Sequence, residues 1–286
     1  VNRLFSRLER YSLVEPDVQE QPMCRWIAYR GETITLERYV TAPSHSLVVQ
    51  SLGALEGNAR TNGDGFGLGW YDEQSDEPGL YREVRPAWSD ENLRHLCRHI
   101  RSHLFFAHVR ASTGTPTTRP NCHPFAHGRF LFMHNGQIGD WSLIRRRAEA
   151  LIPDALYTAR IGTTDSEAAF LAILGAGAER DPVAATISTL AVLTDMVRAS
   201  GTKEPLRFTS AFADGRDLYA FRYCTDATAN TLYYRETGGD VAVVSEPLDT
   251  ERAHWKVVPP GHLIIARHGQ PVVLEPMVFE KQVAAE

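Results

Sequence analysis

Three features of this 286-residue chain predict an α+β fold of layered sheets. Short apolar runs bounded by glycine or polar turns fill the first half. Helix-patterned segments follow, and a second group of strand-patterned runs closes the chain. Strands, then helices, then strands, without regular alternation, argue against a doubly wound parallel sheet.

In the first block, residues 25–29, 66–71, 104–109 and 130–133 read as strands. Residues 89–100 and 140–151 carry helical patterning. Thr164-Asp165-Ser166-Glu167 ahead of 168–174 matches a capping box, with Thr at the cap and Glu three residues on. Asp181-Pro182 opens the clearest helix, since Asp suits the cap and Pro the first helical position, and Gly201 suits its end. Residues 206–213 and 217–223 flank Asp214-Gly215 and read as a hairpin, because Asp-Gly tolerates positive φ. Residues 231–235 and 241–245 are two further strands. Residues 262–267 and 272–274 form a closing hairpin around His268-Gly269.

Hydrophobic residues make up 43% and charged residues 23%, as in soluble globular proteins. A net charge of -5 does not support nucleic-acid binding, and Arg145-Arg146-Arg147 reads as a solvated helix face. No apolar run reads as long enough to span a bilayer, and residues 1–21 lack the features of a secretory signal. Cys24, Cys97, Cys122 and Cys224 form no CxxC pair, which fits a reduced, cytoplasmic compartment. Neither a nucleic-acid nor a membrane partner is therefore expected.

Cys24 follows an internal Met23 and opens an apolar run. If the working protein begins at Met23 and loses it, Cys24 becomes terminal and holds a nucleophile and a base in one residue. The thiolate is the attacking species, and an α-amine titrating at roughly 7.7–8.0 can take the thiol proton. Behind a peptide bond the same cysteine has no such base. Taken alone, Cys24 reads first as a small buried residue starting a strand.

Four further segments carry polar chemistry: His108-Val109-Arg110-Ala111-Ser112-Thr113-Gly114, Asn121-Cys122-His123-Pro124-Phe125, His134-Asn135-Gly136-Gln137 and Thr163-Thr164-Asp165-Ser166. Each has a plain structural reading by itself. Asn135-Gly136 is a strong hairpin signal, Asp165 suits a first helical turn, and Arg110 suits a surface. Together they suit attack on a γ-amide. Asn135 and the Gly136 N–H supply two oxyanion donors. Arginine can grip the α-carboxylate of glutamine and aspartate its α-ammonium.

With Met23-Cys24-Arg25 and residues 62–71, these motifs fall in the order found in the class II glutamine amidotransferases, a branch of the N-terminal-nucleophile hydrolases, which the chain resembles from Met23 to Pro276. Ser245-Glu246-Pro247-Leu248 and Val258-Pro259-Pro260-Gly261 resemble its small stand-alone members, among them the γ-glutamyl amidohydrolase of ergothioneine biosynthesis. The resemblance implies a four-layer αββα sandwich. It implies Cys24 as nucleophile, Asn135 and Gly136 as oxyanion hole, Arg110 with Thr113 for the α-carboxylate, and Asp165 for the α-ammonium. His123 and His134 are expected to support the site by structural hydrogen bonds. No cofactor is implied.

Residues 1–22 then read as an N-terminal extension, either a removable pro-segment or upstream sequence joined by an early start codon, and 23–286 as the amidotransferase domain. The expected partner is glutamine or a γ-glutamyl small molecule. Two alternatives stay open: a glutaminase subunit feeding ammonia to a separate synthase, and a non-catalytic γ-glutamyl-binding protein with Cys24 blocked. His95, His99 and His103 are spaced for one helical face, but His103 falls next to a strand, so no metal is expected. The glycines of 63–69 lack the Lys-Ser/Thr ending of a phosphate loop.

Overall fold

β1 (Arg25–Thr35) begins directly after Cys24 in the computed structural model, which describes residues 23–56, 61–112 and 114–279. The expected extension at 1–22 lies outside the described residues. Two short helices follow, α1 (Glu37–Val40) and α2 (Leu47–Leu52), then β2 (Phe66–Trp70), β3 (Gly79–Glu83), α3 (Glu91–His99) and β4 (Arg101–Val109). β5 (Phe125–His127) and β6 (Phe130–Gln137) lead into α4 (Trp141–Glu149), α5 (Asp154–Tyr157), α6 (Asp165–Gly175) and α7 (Pro182–Ser200). β7 (Arg207–Ala213), β8 (Leu218–Cys224), β9 (Tyr233–Thr237), β10 (Asp240–Val244), β11 (Lys256–Val257), β12 (His262–Ala266) and β13 (Val273–Pro276) complete the chain.

The strands form two antiparallel sheets, in the orders β11-β9-β10-β1-β4-β2-β3 and β13-β12-β8-β7-β6-β5. Side-chain alternation sorts each strand between two cores. On β1, Trp26 and Ala28 join residues of the second sheet such as Met133 and Ala211, whereas Ile27 and Tyr29 face the layer of α1 to α3. On β6, Phe132 packs under α6 and α7 while Leu131 and Met133 face the first sheet. The result is the expected αββα sandwich. Three buried clusters fill its three interlayer spaces.

Three local expectations change. Asn135-Gly136 lies inside β6 rather than in a turn, because pairing with Thr209 and Phe208 of β7 runs through it. Only half of the capping box forms. Thr164 Oγ1 accepts from Glu167 N, but the Glu167 carboxylate turns to Arg160 and to the N–H groups of Ile161 and Gly162. The third difference is α7, whose 19 residues and mean hydropathy of 1.2 match a membrane span by length and composition. It packs instead into the helix-side core through Ala185, Leu190, Leu193 and Val197. His95 and His99 lie on α3 and His103 lies at the start of the next strand, β4, where the sequence places it.

Candidate active site

β1 and β4 pair with Arg25 opposite Val109, so the start of one strand meets the end of the other. Cys24 therefore sits beside Arg110 and Ala111. The alternation that points Trp26 between the sheets applies also to Cys24, and that of Met133 applies to Asn135. The two residues meet across the sandwich: Cys24 N–H donates to Asn135 Oδ1 at 3.1 Å. α6 begins beside the end of β6, because Asp165 Oδ2 accepts from Ile138 N at 2.9 Å. Cys24, Arg110, Asn135, Gly136, Asp165, His123 and His134 line one cavity of about 50 Å³. Thr113, expected beside Arg110, lies outside the described residues.

The Cys24 thiol is partly buried and lies 3.5 Å from both Ala111 N and Ala111 O. Burial pushes its pKa up, against the Ala111 backbone hydrogen bond and the charges of Arg110 and Arg25. A thiol in that setting needs a base to become a nucleophile. Gly136 has no room for a side chain, since a Cβ would overlap the Arg207 carbonyl oxygen of β7. Its backbone can therefore approach closely only as glycine.

Arg110 is 3% exposed. Its NH2 donates to Ser112 Oγ at 3.1 Å and to Thr115 Oγ1 at 2.5 Å, and its NH1 to the Asp64 carbonyl at 3.4 Å. These acceptors are neutral, and among the described residues no carboxylate pairs with it. A buried cation without an anion is costly, so the site suits an anionic ligand. Asp165 contributes the opposite charge. Its Oδ1 accepts from Ser166 N at 2.7 Å and its Oδ2 from Ile138 N, which fixes the carboxylate at the helix start.

Residues next to Cys24 hold the start of β1. Arg25 Nε pairs with Glu246 Oε2 at 2.9 Å, both side chains almost fully buried, and its NH1 donates to the Cys24 carbonyl at 2.9 Å. Burial acts to raise the Glu246 pKa. The hydrogen bonds from His45, Leu55 N and Glu56 N, with the Arg25 charge, outweigh it and hold the carboxyl below its usual range. Asn62 Nδ2 donates to the Met23 carbonyl at 2.7 Å, and Asn230 Nδ2 to the Asn135 carbonyl at 3.1 Å. None of these four residues was among the expected site residues. Arg25, Asn62 and Glu246 stand in recognisable motifs, whereas nothing in the local sequence marks Asn230.

The two expected support histidines differ. His134 is hydrogen-bonded as expected, by Nδ1 to Ser166 Oγ at 2.9 Å and by Nε2 to the Arg207 carbonyl at 3.1 Å. Since a carbonyl only accepts, Nε2 carries the proton and Nδ1 accepts from Ser166. His123 is not: neither ring nitrogen has a hydrogen-bond partner among the described residues. It stacks on His108 instead, with ring centroids 4.3 Å apart. Glycines on β2 make this possible, because a Cβ on Gly67 would overlap the His123 carbonyl and one on Gly69 would press on Pro124. Among the described residues no group of three or more His, Cys, Asp or Glu is placed to hold a metal ion.

Residues 38–236 match the sequence profile described as glutamine amidotransferases class-II. A probable glutamine amidotransferase of Saccharomyces cerevisiae is 31% identical over 305 residues, covering 90% of this chain and 85% of that protein. The gamma-glutamyl-hercynylcysteine sulfoxide hydrolase of Mycolicibacterium smegmatis is 27% identical over 254 residues, covering 88% of this chain and 99% of that protein. A solved class-II domain protein from Silicibacter pomeroyi, titled a glutamine aminotransferase, is 40% identical, with a TM-score of 0.71, 89% of this chain and all of that one covered. The glutamine phosphoribosylpyrophosphate amidotransferase of B. subtilis shares the fold at 14% identity and a TM-score of 0.60, over 90% of this chain and 50% of that one.

Proposed function

The chain belongs to the class II glutamine amidotransferases, and on that footing we propose that it hydrolyses γ-glutamyl amide bonds through a thioester on Cys24. The observation that carries this reading is the pairing of a half-buried thiol with a buried, carboxylate-free Arg110 and an oriented Asp165 around one cavity. An α-amino acid presents the complementary pair of charges. Its side-chain amide then faces the thiol.

With Cys24 at the N-terminus, its α-amine takes the thiol proton and Sγ attacks the γ-carbonyl. Asn135 Nδ2 and the Gly136 N–H stabilise the oxyanion. The ammonium formed on Cys24 gives its proton to the leaving nitrogen, and water later releases glutamate. Arg110 and Asp165 hold the α-carboxylate and α-ammonium, so binding at one end positions the bond to be broken at the other. Residues 1–23 block the reaction while they remain attached, by acylating the base. The substrate is glutamine or a γ-glutamyl conjugate, as the name of the mycobacterial relative suggests.

The test compares enzyme beginning at Cys24 with its Cys24→Ala variant on glutamine and γ-glutamyl-p-nitroanilide. The first should release amine and, after acid quench, carry a γ-glutamyl adduct on Cys24 by mass spectrometry. The variant should bind glutamate in calorimetry without turnover. Turnover by the alanine variant, or loss of all its binding, overturns the assignment.

A further inference from the structure

We infer that Asn230 positions the oxyanion hole, by holding the peptide plane that carries the Gly136 N–H, an inference that rests on the hydrolase reading above. Asn230 Nδ2 donates to the Asn135 carbonyl at 3.1 Å in a buried contact. A carbonyl only accepts, so the Asn230 amide presents its NH2 group to Asn135. The Asn135 carbonyl and the Gly136 N–H belong to one planar, trans peptide unit, in which they point in opposite directions. Holding one therefore aims the other, and the Gly136 N–H points away from Asn230.

That direction leads to the open edge of the sheet. β6 lies between β7 and β5, and β5 pairs only with Phe130 to Phe132. Beyond Phe132 the side of β6 away from β7 has no strand partner among the described residues. Asn230 stands on the β7 side. Its own carbonyl accepts from Arg222 Nε of β8 at 2.7 Å, and Thr209 Oγ1 of β7, the residue opposite Asn135, lies 3.5 Å from the same oxygen. The Gly136 N–H thus faces the uncovered edge, and Gly136 lines the cavity that Cys24 lines.

A peptide plane beside glycine needs such a clamp. Gly136 has no side chain to limit its rotation, and β6 ends one residue later at Gln137. Asn230 is itself anchored, because the buried Arg222 guanidinium donates to the carbonyls of Ala229, Asn230 and Val258. The same contact acts on the donor's strength. Hydrogen bonds in a chain polarise one another, so an Asn135 carbonyl that accepts from Asn230 leaves the Gly136 N–H a better donor. Asn230 touches neither Cys24 nor the cavity lining other than Asn135, so it is a positioning residue and not a catalytic one.

Steady-state kinetics on γ-glutamyl-p-nitroanilide test this in Asn230→Ala and Asn230→Asp, each in enzyme beginning at Cys24. Aspartate keeps the size of the side chain and, when ionised, has no hydrogen to donate. The oxyanion exists only after attack, so the loss belongs to kcat. In both variants kcat should fall by about tenfold, the equivalent of one hydrogen bond, while the Ki for glutamate stays within about twofold. Asn230→Gln, which keeps the NH2 group, should recover part of the loss. An unchanged kcat, or a rise in the glutamate Ki that accounts for the whole loss in kcat/KM, overturns the inference and leaves Asn230 structural. No p-nitroaniline from the wild type would overturn the hydrolase reading itself. Should the variants fail to fold, a crystal structure of the wild type alkylated on Cys24 by 6-diazo-5-oxonorleucine decides. Asn230 Nδ2 must then sit on the Asn135 carbonyl and the Gly136 N–H on the ketone oxygen, and the absence of either contact overturns the inference.

Discussion

The backbone N–H of Cys24 donates to Asn135 Oδ1 across the sandwich, from the start of β1 in the middle of the first sheet to β6 of the second. Because an N–H only donates, the contact fixes the orientation of the Asn135 amide. Oδ1 faces Cys24, so Nδ2 faces elsewhere, and the cavity shared with Gly136 is where an oxyanion would form. On the proposed mechanism one side chain both seats the nucleophile and offers the oxyanion donor. Asn135→Asp keeps the acceptor and removes the donor. It should lower kcat/KM by about 10²–10³, the usual cost of an oxyanion donor. Steady-state kinetics would check this, and a loss of about twofold would remove Asn135 from that role.

The Cys24 thiol is raised by burial, so it stays protonated at neutral pH unless the adjacent amine acts as base. Enzyme beginning at Cys24 should show kcat/KM rising with pH through the deprotonation of the α-amine, near about 7.7–8.0. Enzyme retaining residues 1–23 should be inactive at every pH. Equal turnover by the two forms, with the long form intact by mass, would contradict this.

Arg110 and Asp165 should act together. Truncating one side of a buried charged contact typically costs about 2–5 kcal/mol. Arg110→Lys should also fail, because an ammonium lacks the bidentate fork. Asp165→Asn is the sharper change on the other side. It removes the charge, and because an amide has a single acceptor oxygen it can keep only one of the Ser166 N–H and Ile138 N–H contacts. A substrate analogue without the α-carboxylate should lose little more from Arg110→Ala. If the two losses in kcat/KM simply add, Arg110 does not touch that carboxylate.

The Arg25–Glu246 pair is almost completely buried. Removing one partner leaves an uncompensated buried charge, so Glu246→Ala should destabilise the fold by about 3–5 kcal/mol. The Leu55 and Glu56 N–H groups would lose their acceptor as well. Arg25→Met combined with Glu246→Met should recover much of that loss in urea unfolding, because neither charge then remains.

Burial lowers the His108 pKa to about 3, and His123 and His134 are lowered for the same first reason. Each binds a proton more readily when unfolded. Below the unfolded value of about 6.5, the unfolded state therefore gains protons that the native state refuses, and stability falls as pH falls. The expected slope is about 1.4 kcal/mol per pH unit for each such histidine. The effect is absent above that value. For His108 it continues down to about pH 3. Urea unfolding at pH 7 and 5 checks the sign, and His108→Phe should flatten the slope by one histidine's share.

Much of this protein could be read without coordinates, for a physical reason. Strand alternation, Asp and Pro at the start of α7, and Asp214-Gly215 between β7 and β8 are local signals, and the elements formed where they stand. The αββα layering and the residues of the candidate site followed from motifs that keep residue types and order. Tertiary structure decided what depends on distant partners. Asn135-Gly136 looks like a turn by itself, and only pairing with β7 makes it strand. Glu167 left its own helix cap for Arg160. Asn230 reached the Asn135 carbonyl from a loop 95 residues away. His123 stacks on His108, and its ring nitrogens lack the expected hydrogen bonds among the described residues. Propensity and capping act within a few residues, whereas burial, charge pairing and close backbone approach are set by whatever the fold brings alongside.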